Sequence, residues 1–268
     1  MTRTDKRRPH LVMLHGWGMH SGLFRPWVEK LQTRWVVHSV DLPGHGANRH
    51  VPLAADIQQA AGQIQALTRH VPAATWLGWS LGGLLAARMA WEYPERVKRL
   101  VMLCASPCFV RRADWPHGVA PQVLEKFGQD LQRDVHQTLQ RFMALEVLGC
   151  ANEKELFKTL KQLATQSPEP SASALEAGLQ LLQQTDLRPQ LSRLRQPVLW
   201  LAGRRDRLVS PLAVRQAASL TGSALKKAAP VAYREIPGAG HAPFLTHMDL
   251  LTKNLHEFCH LPQHNVSI

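Results

Sequence analysis

Long apolar runs are missing from this chain. None of its hydrophobic stretches approaches the roughly 20 residues that a helix needs to cross a bilayer, so no transmembrane helix is expected. The basic start, residues 1–8, leads only into Leu11, Val12, Met13 and Leu14, too short a run for a secretory signal. The cytoplasm is therefore the expected location. Cysteine is scarce as well. Cys104, Cys108, Cys150 and Cys259 have no metal-site spacing, and four thiols among 268 residues do not suggest a disulfide framework. Cys108, just after a predicted strand, reads as a buried, inert thiol. Acidic residues are the third shortage: 20 Asp and Glu face 32 Lys and Arg, a formal charge of +12. Such a surplus draws acidic partners through its summed field without choosing among them. Nucleic acid is not an expected partner, because no helix-turn-helix, zinc-finger or aromatic RNA-binding pattern is present. The basic residues are also dispersed, with Arg3, Lys6, Arg7 and Arg8 at the start, Arg96, Lys98 and Arg99 mid-chain, and Arg204, Arg205 and Arg207 later.

What the chain does contain is Gly78-Trp79-Ser80-Leu81-Gly82. The apolar Thr75, Trp76 and Leu77 before it suit a buried strand, and the run 83–90 after it is rich in helix formers. A G-x-S-x-G placed between strand and helix is a nucleophile elbow, which holds the serine on a strained turn with its hydroxyl presented to substrate. Glycines at 78 and 82 give the tight turn room.

Three further features fall where an acyl-transfer site needs them. His15-Gly16-Trp17 ends an early strand, the position of a backbone N–H that faces the nucleophile. Asp206 follows the strand-and-turn run 198–203, and His241 follows a strand over 231–236. Asp186 and Asp56 are weaker choices for the acid, since neither follows a predicted core strand. His15 and most of the 14 histidines read as structural or surface groups. The chain order is thus Ser80, Asp206, His241, unlike that of the two well-known serine protease folds.

These residues resemble an α/β-hydrolase over nearly the whole chain. Within that fold the chain is similar to the esterase family that acts on pimeloyl-[acyl-carrier protein] methyl ester in biotin biosynthesis. The closer likeness lies in 14–18, 40–44, 76–83, 105–109, 141–145 and 239–244. The resemblance implies a carboxylesterase whose partner is an acyl carrier protein carrying the substrate. It further implies a substrate site of Trp17, Ser80, Leu81 and His241, completed by Phe142, Met143, Ala144, Leu145 and Glu146 along the channel. Glu146 stands where the family more often has an amide. The family usually opens with an extra antiparallel strand or hairpin. Only ten residues precede the first predicted strand here, so that element is expected to be missing or reduced.

Strands are expected at 11–14, 35–40, 74–78, 99–104, 197–202 and 231–236, and helices at 24–33, 53–69, 81–92, 211–221 and 246–259. This alternation predicts a largely parallel sheet. It stops between Ser106 and Leu187, where only helices are expected. In the first of them Leu124, Phe127, Leu131, Val135, Leu139 and Phe142 form one apolar stripe. Others follow at 152–166 and 172–185. The organisation is a core of 1–106 and 188–268 with a helical cap at 107–187, in a chain expected to be monomeric.

The chemistry follows from the constellation. His241 accepts the proton of Ser80 as the hydroxyl attacks an ester carbonyl, and Asp206 fixes the imidazole. Backbone N–H groups of Trp17 and Leu81 meet the oxyanion, each donor being worth about 3 kcal/mol. No metal or organic cofactor is required. A general short-chain esterase, a thioesterase or a carbon–carbon bond hydrolase would share this set, whereas a non-catalytic binding protein would not need all three residues. A dehalogenase or epoxide hydrolase is disfavoured, since it would carry aspartate in place of Ser80.

Overall fold

The computed structural model describes residues 8–224 and 229–260; Arg3, Lys6 and Arg7 of the basic start lie outside the described residues. Six strands form one sheet: β1 (His10–Leu14), β2 (Val36–Val40), β3 (Ala74–Trp79), β4 (Val97–Leu103), β5 (Val198–Gly203) and β6 (Val231–Ile236). Their order is β2-β1-β3-β4-β5-β6, and each neighbouring pair is parallel. Every residue of β3 and β5 is buried. This explains why these strands read as unbroken apolar runs: a parallel sheet is covered on both faces. Among the described residues no antiparallel strand precedes β1.

The chain leaves β1 for β2 on one side and returns to β3 on the other. At such a reversal the loops diverge and leave a crevice beyond the carboxyl ends of the strands. Register makes those ends flush, since Leu14 pairs with Gly78 and Gly78 with Met102. The loops after β1 and β3 therefore meet.

The flanking helices are α1 (Arg25–Leu31), α2 (Ile57–Leu67), α3 (Leu81–Glu92), α9 (Pro211–Ala224) and α10 (Met248–Cys259). Helix α2 begins later than expected because Asp56 caps it, accepting the N–H of Gln58 and Gln59 at 3.0 and 2.9 Å. Helix α3 packs on β1, β3 and β4. Among the described residues no helix is long and apolar enough to cross a membrane.

Between β4 and β5 lie α4 (Pro121–Arg133), α5 (Val135–Val147), α6 (Glu153–Ala164), α7 (Ala172–Gln184) and the single turn α8 (Arg188–Leu191). Two expectations change here. The stripe from Leu124 to Phe142 spans two helices, not one. Asp134 is extended, at φ −157°, and accepts the Gln137 N–H at 2.9 Å, which starts α5. The stretch is also not purely helical. Bridges join Cys108 to Asp186 and Val110 to Val119, while Pro107, Pro116 and Gly118 keep the segment between them from coiling. Helix α4 packs on α5 and α7, α5 on α6, and α7 reaches α3 of the sheet layer.

Candidate active site

Ser80 joins the end of β3 to the start of α3 with φ 55° and ψ −120°. That left-handed region is unfavourable for any residue with a Cβ, so the surroundings must enforce it. They do so through close backbone approach. A Cβ on Gly78 would run into the Gly82 carbonyl, and one on Gly82 into the Leu14 carbonyl. The Ser80 N–H donates to the Leu103 carbonyl at 3.1 Å, and its carbonyl accepts from Gly83 N–H at 2.8 Å.

The loop after β1 lies against this turn. A Cβ built on Gly16 would sit 3.2 Å from Ser80 Cβ. Buried His15 holds the loop: its Nδ1 donates to the Gly16 carbonyl at 2.9 Å and its Nε2 accepts from Leu42 N–H at 3.0 Å. Burial, followed by neighbouring His45, pulls the His15 pKa down to about 3; burial takes His45 to about 4. Both rings are therefore neutral struts at ordinary pH. Asp41 is structural too, since it accepts the N–H of Ser21 and Ala47 at 2.7 and 2.8 Å.

Asp206 and His241 meet at the carboxyl ends of β5 and β6. His241 Nδ1 lies 2.8 Å from Asp206 Oδ2, and both side chains are 1% exposed. Asp206 Oδ1 accepts the N–H of Leu208 and Val209 at 2.8 and 2.9 Å, which fixes the carboxylate plane. A carboxylate only accepts, so the proton of this bond sits on Nδ1 and Nε2 is the ring nitrogen left over. That Nε2 is buried with no hydrogen-bond partner, Ser80 included. Contacts of this kind commonly tighten only when substrate arrives. Asp186 and Asp56 are elsewhere: Asp186 pairs with Arg188 at 2.7 Å, and Asp56 caps α2.

The flanking tryptophans act as ties. Trp79 Nε1 donates to the His241 carbonyl at 2.8 Å, linking the elbow to the histidine loop. Trp17 Nε1 donates to the Leu175 carbonyl of α7 at 2.8 Å, and its ring meets Phe142 edge-on at 4.9 Å. Leu81 is the first residue of α3, so its N–H has no intrahelical acceptor.

The predicted channel residues divide by helical phase. Phe142 and Glu146, four apart on α5, turn toward the site. Met143 lines a separate cavity of about 240 Å³ with Gly18, Met19 and Leu139. Ala144 and Leu145 line a groove between α4 and α5 with Val123 and Phe127, whose ring meets that of Trp17 edge-on. Glu146 is 1% exposed, and neither of its carboxyl oxygens has a partner. Burial, reinforced by Asp206, raises its carboxyl well above the usual range. Its carbonyl accepts the His241 N–H at 3.1 Å. Nothing in the sequence marks Glu146 as a buried neutral acid.

Cys104, with φ 45°, sits so that its sulfur and one ligating atom each of Asp206 and His241 lie within 4.8 Å of one another. Burial, then Asp206, raises its thiol well above the ordinary value. Two members of this trio, Asp206 and His241, already bond to each other. Cys108 lies apart, with its sulfur 3.3 Å from the Val110 carbonyl.

The family model for the alpha/beta hydrolase fold matches residues 9–248. The chain belongs to this family. The hydrolase is 45% identical over 250 residues to a pimeloyl-[acyl-carrier protein] methyl ester esterase of Xylella fastidiosa (strain M23), covering 93% of this chain and 94% of that protein. The protein of the same name from Xanthomonas campestris pv. campestris (strain B100) is also 45% identical, with the same coverages. Among solved structures, the esterase EaEST from Exiguobacterium antarcticum superposes with a TM-score of 0.80 at 20% identity, covering 93% of this hydrolase and 91% of that chain. A bromoperoxidase from Bacillus anthracis gives 0.82 at 18% identity, over 94% and 92%. At such identities the structural likenesses speak for the fold alone.

Proposed function

We propose that this hydrolase is a serine carboxylesterase that cleaves the methyl ester of pimeloyl-[acyl-carrier protein], releasing methanol and the free carboxylate, in biotin biosynthesis. The reaction class is carried by a serine strained at φ 55° beside the buried Asp206–His241 pair. The substrate rests on the likeness to the Xylella and Xanthomonas esterases.

His241 Nε2 takes the Ser80 proton as Oγ attacks the ester carbonyl, and Asp206 steadies the imidazolium. The N–H groups of Leu81 and Trp17 receive the oxyanion. His241 then protonates the departing methoxide, and water, activated by the same imidazole, frees Ser80. No cofactor enters this scheme. Residues 107–187 serve as a cap over the core of 1–106 and 188–268, a role supported by the tie from Trp17 to α7 and the edge contact of Phe142 on Trp17. Phe142 and Glu146 border the acyl chain, while Met143 lines the neighbouring cavity and Ala144 and Leu145 the groove between α4 and α5. On this reading the protein works as a monomer in the cytoplasm on a carrier-bound substrate.

The test is a comparison of initial rates on pimeloyl-carrier methyl ester, free dimethyl pimelate and a short p-nitrophenyl ester. A kcat/KM highest for the carrier-bound ester supports the reading. Efficient cleavage of the p-nitrophenyl ester alone would transfer the protein to the general esterases.

A further inference from the structure

The carboxyl ends of the strands carry the site above; their amino ends carry a second cavity. It encloses about 670 Å³, a volume ordinary for small-molecule sites. The starts of β1, β3 and β4, the turn before β2 and the last turn of α10 form its wall. The six residues of β3 put it roughly 20 Å from Ser80. It therefore does not belong to the ester site.

Among the described residues its lining holds no carboxylate. It does hold His10, Arg34, Lys98, His256 and His260, along with Arg8 and Arg99, which have other interactions. These groups press on one another. His10 is pulled below its ordinary pKa by burial and then by Lys98, and His256 by burial, Arg34 and His260. A second observation is independent of charge. Trp35, only 3% exposed, lines the cavity, and its indole N–H has no acceptor. The His256 ring stacks on Trp35 with centroids 6.5 Å apart, and its Nε2 is also buried without a partner. Native proteins rarely leave a buried donor unmatched. The negative end of the α10 dipole accounts for nearby histidines. It accounts neither for Lys98 at the start of β4 nor for the orphaned indole.

We propose that this cavity binds the phosphate group of a small phosphorylated molecule. Phosphate brings acceptor oxygens for the Trp35 N–H and the His256 ring, and negative charge for Arg34 and Lys98. An arginine fork and a lysine point charge are the usual pair for that task. The cavity is also larger than a bare phosphate requires, so the anion has room to carry an organic body. The inference is independent of what Ser80 cleaves.

The experiment is thermal denaturation and calorimetric titration of the full chain with orthophosphate, pyrophosphate and ATP, each matched to sodium chloride in ionic strength. Pyrophosphate or ATP at a hundredfold excess over Kd is expected to raise Tm by about 5–10 °C beyond chloride. The double variant Arg34→Ala, Lys98→Ala should lose at least about tenfold in affinity. Trp35→Phe, which keeps a ring and removes only the N–H, should lose several-fold, and ester hydrolysis should stay unchanged in both. Tighter binding of ATP than of pyrophosphate would identify an organic phosphate as the source, and equal binding the free anion. No shift beyond that of chloride, or a shift undiminished in the double variant, would overturn the proposal.

Discussion

Glu146→Gln separates the protonation of this buried acid from its shape. In the folded chain both carboxyl oxygens are buried without a partner, and burial together with Asp206 raises the pH at which the group ionises. In the unfolded chain it ionises near the ordinary glutamate value of about 4.3. The sign follows from proton counting. Above pH ~4.3 the unfolded chain binds one proton fewer than the folded one, so stability falls as pH rises. The decline is about 1.4 kcal/mol per pH unit for as long as the folded group stays protonated. Glutamine matches the neutral acid in shape and does not titrate, so every other group cancels in the difference between the two proteins. The Gln variant should therefore gain on the parent as pH rises above about 4.3, at a rate of up to about 1.4 kcal/mol, or about 3–5 °C in Tm, per unit while the folded carboxyl stays protonated. Calorimetric melts of both proteins at pH 5, 6 and 7 measure that gap. Parallel curves would mean that Glu146 ionises alike in both states and that its burial leaves its carboxyl unshifted. Catalysis should remain within a few-fold of the parent, since the neutral acid and the amide have the same outline.

Asp206→Asn keeps the shape of the residue but allows the wrong imidazole tautomer; kcat should fall on the order of 10⁴-fold with little change in Tm, read by steady-state kinetics beside a melt. Gly178→Ala on α7 sets helix propensity against packing. Alanine favours the helix by up to about 1 kcal/mol, but its Cβ would lie 2.6 Å from Trp17 Cδ1, and overpacking of that kind typically costs about 1–3 kcal/mol. A net loss of stability of roughly 1 kcal/mol is expected, with a lower kcat because Trp17 is the proposed oxyanion donor; denaturant titration checks the first and kinetics the second. Asp134→Ala removes the cap that starts α5 and should destabilise the protein by about 1 kcal/mol, again by denaturant midpoint.

Much of the core was legible in the sequence. All six strands fall within about two residues of their expected positions, because a parallel sheet buried on both faces leaves unbroken apolar runs ended by glycine, proline or polar turns. Ser80, Asp206 and His241 each follow such a run, so strand ends alone located them. The break at Asp134 was hidden, since Leu131 and Val135 are four apart and carry the apolar spacing straight across a helix boundary. Side-chain direction on α5 was hidden as well. Each residue turns the helix by about 100°, so five consecutive positions cannot face one pocket. Met143 therefore lines one cavity and Ala144 and Leu145 another. The basic cavity joins residues 10, 34, 98 and 256, which only the fold brings together.

Ester cleavage by the proposed route requires Ser80 as the nucleophile that His241 activates. Reaction of the intact chain with a fluorophosphonate, followed by peptide mass mapping, tests that claim directly. A single adduct on Ser80 is expected, formed at a rate that collapses in His241→Ala, with ester hydrolysis lost in proportion to labelling. An adduct on another residue, or hydrolysis that persists once Ser80 is fully labelled, would contradict it.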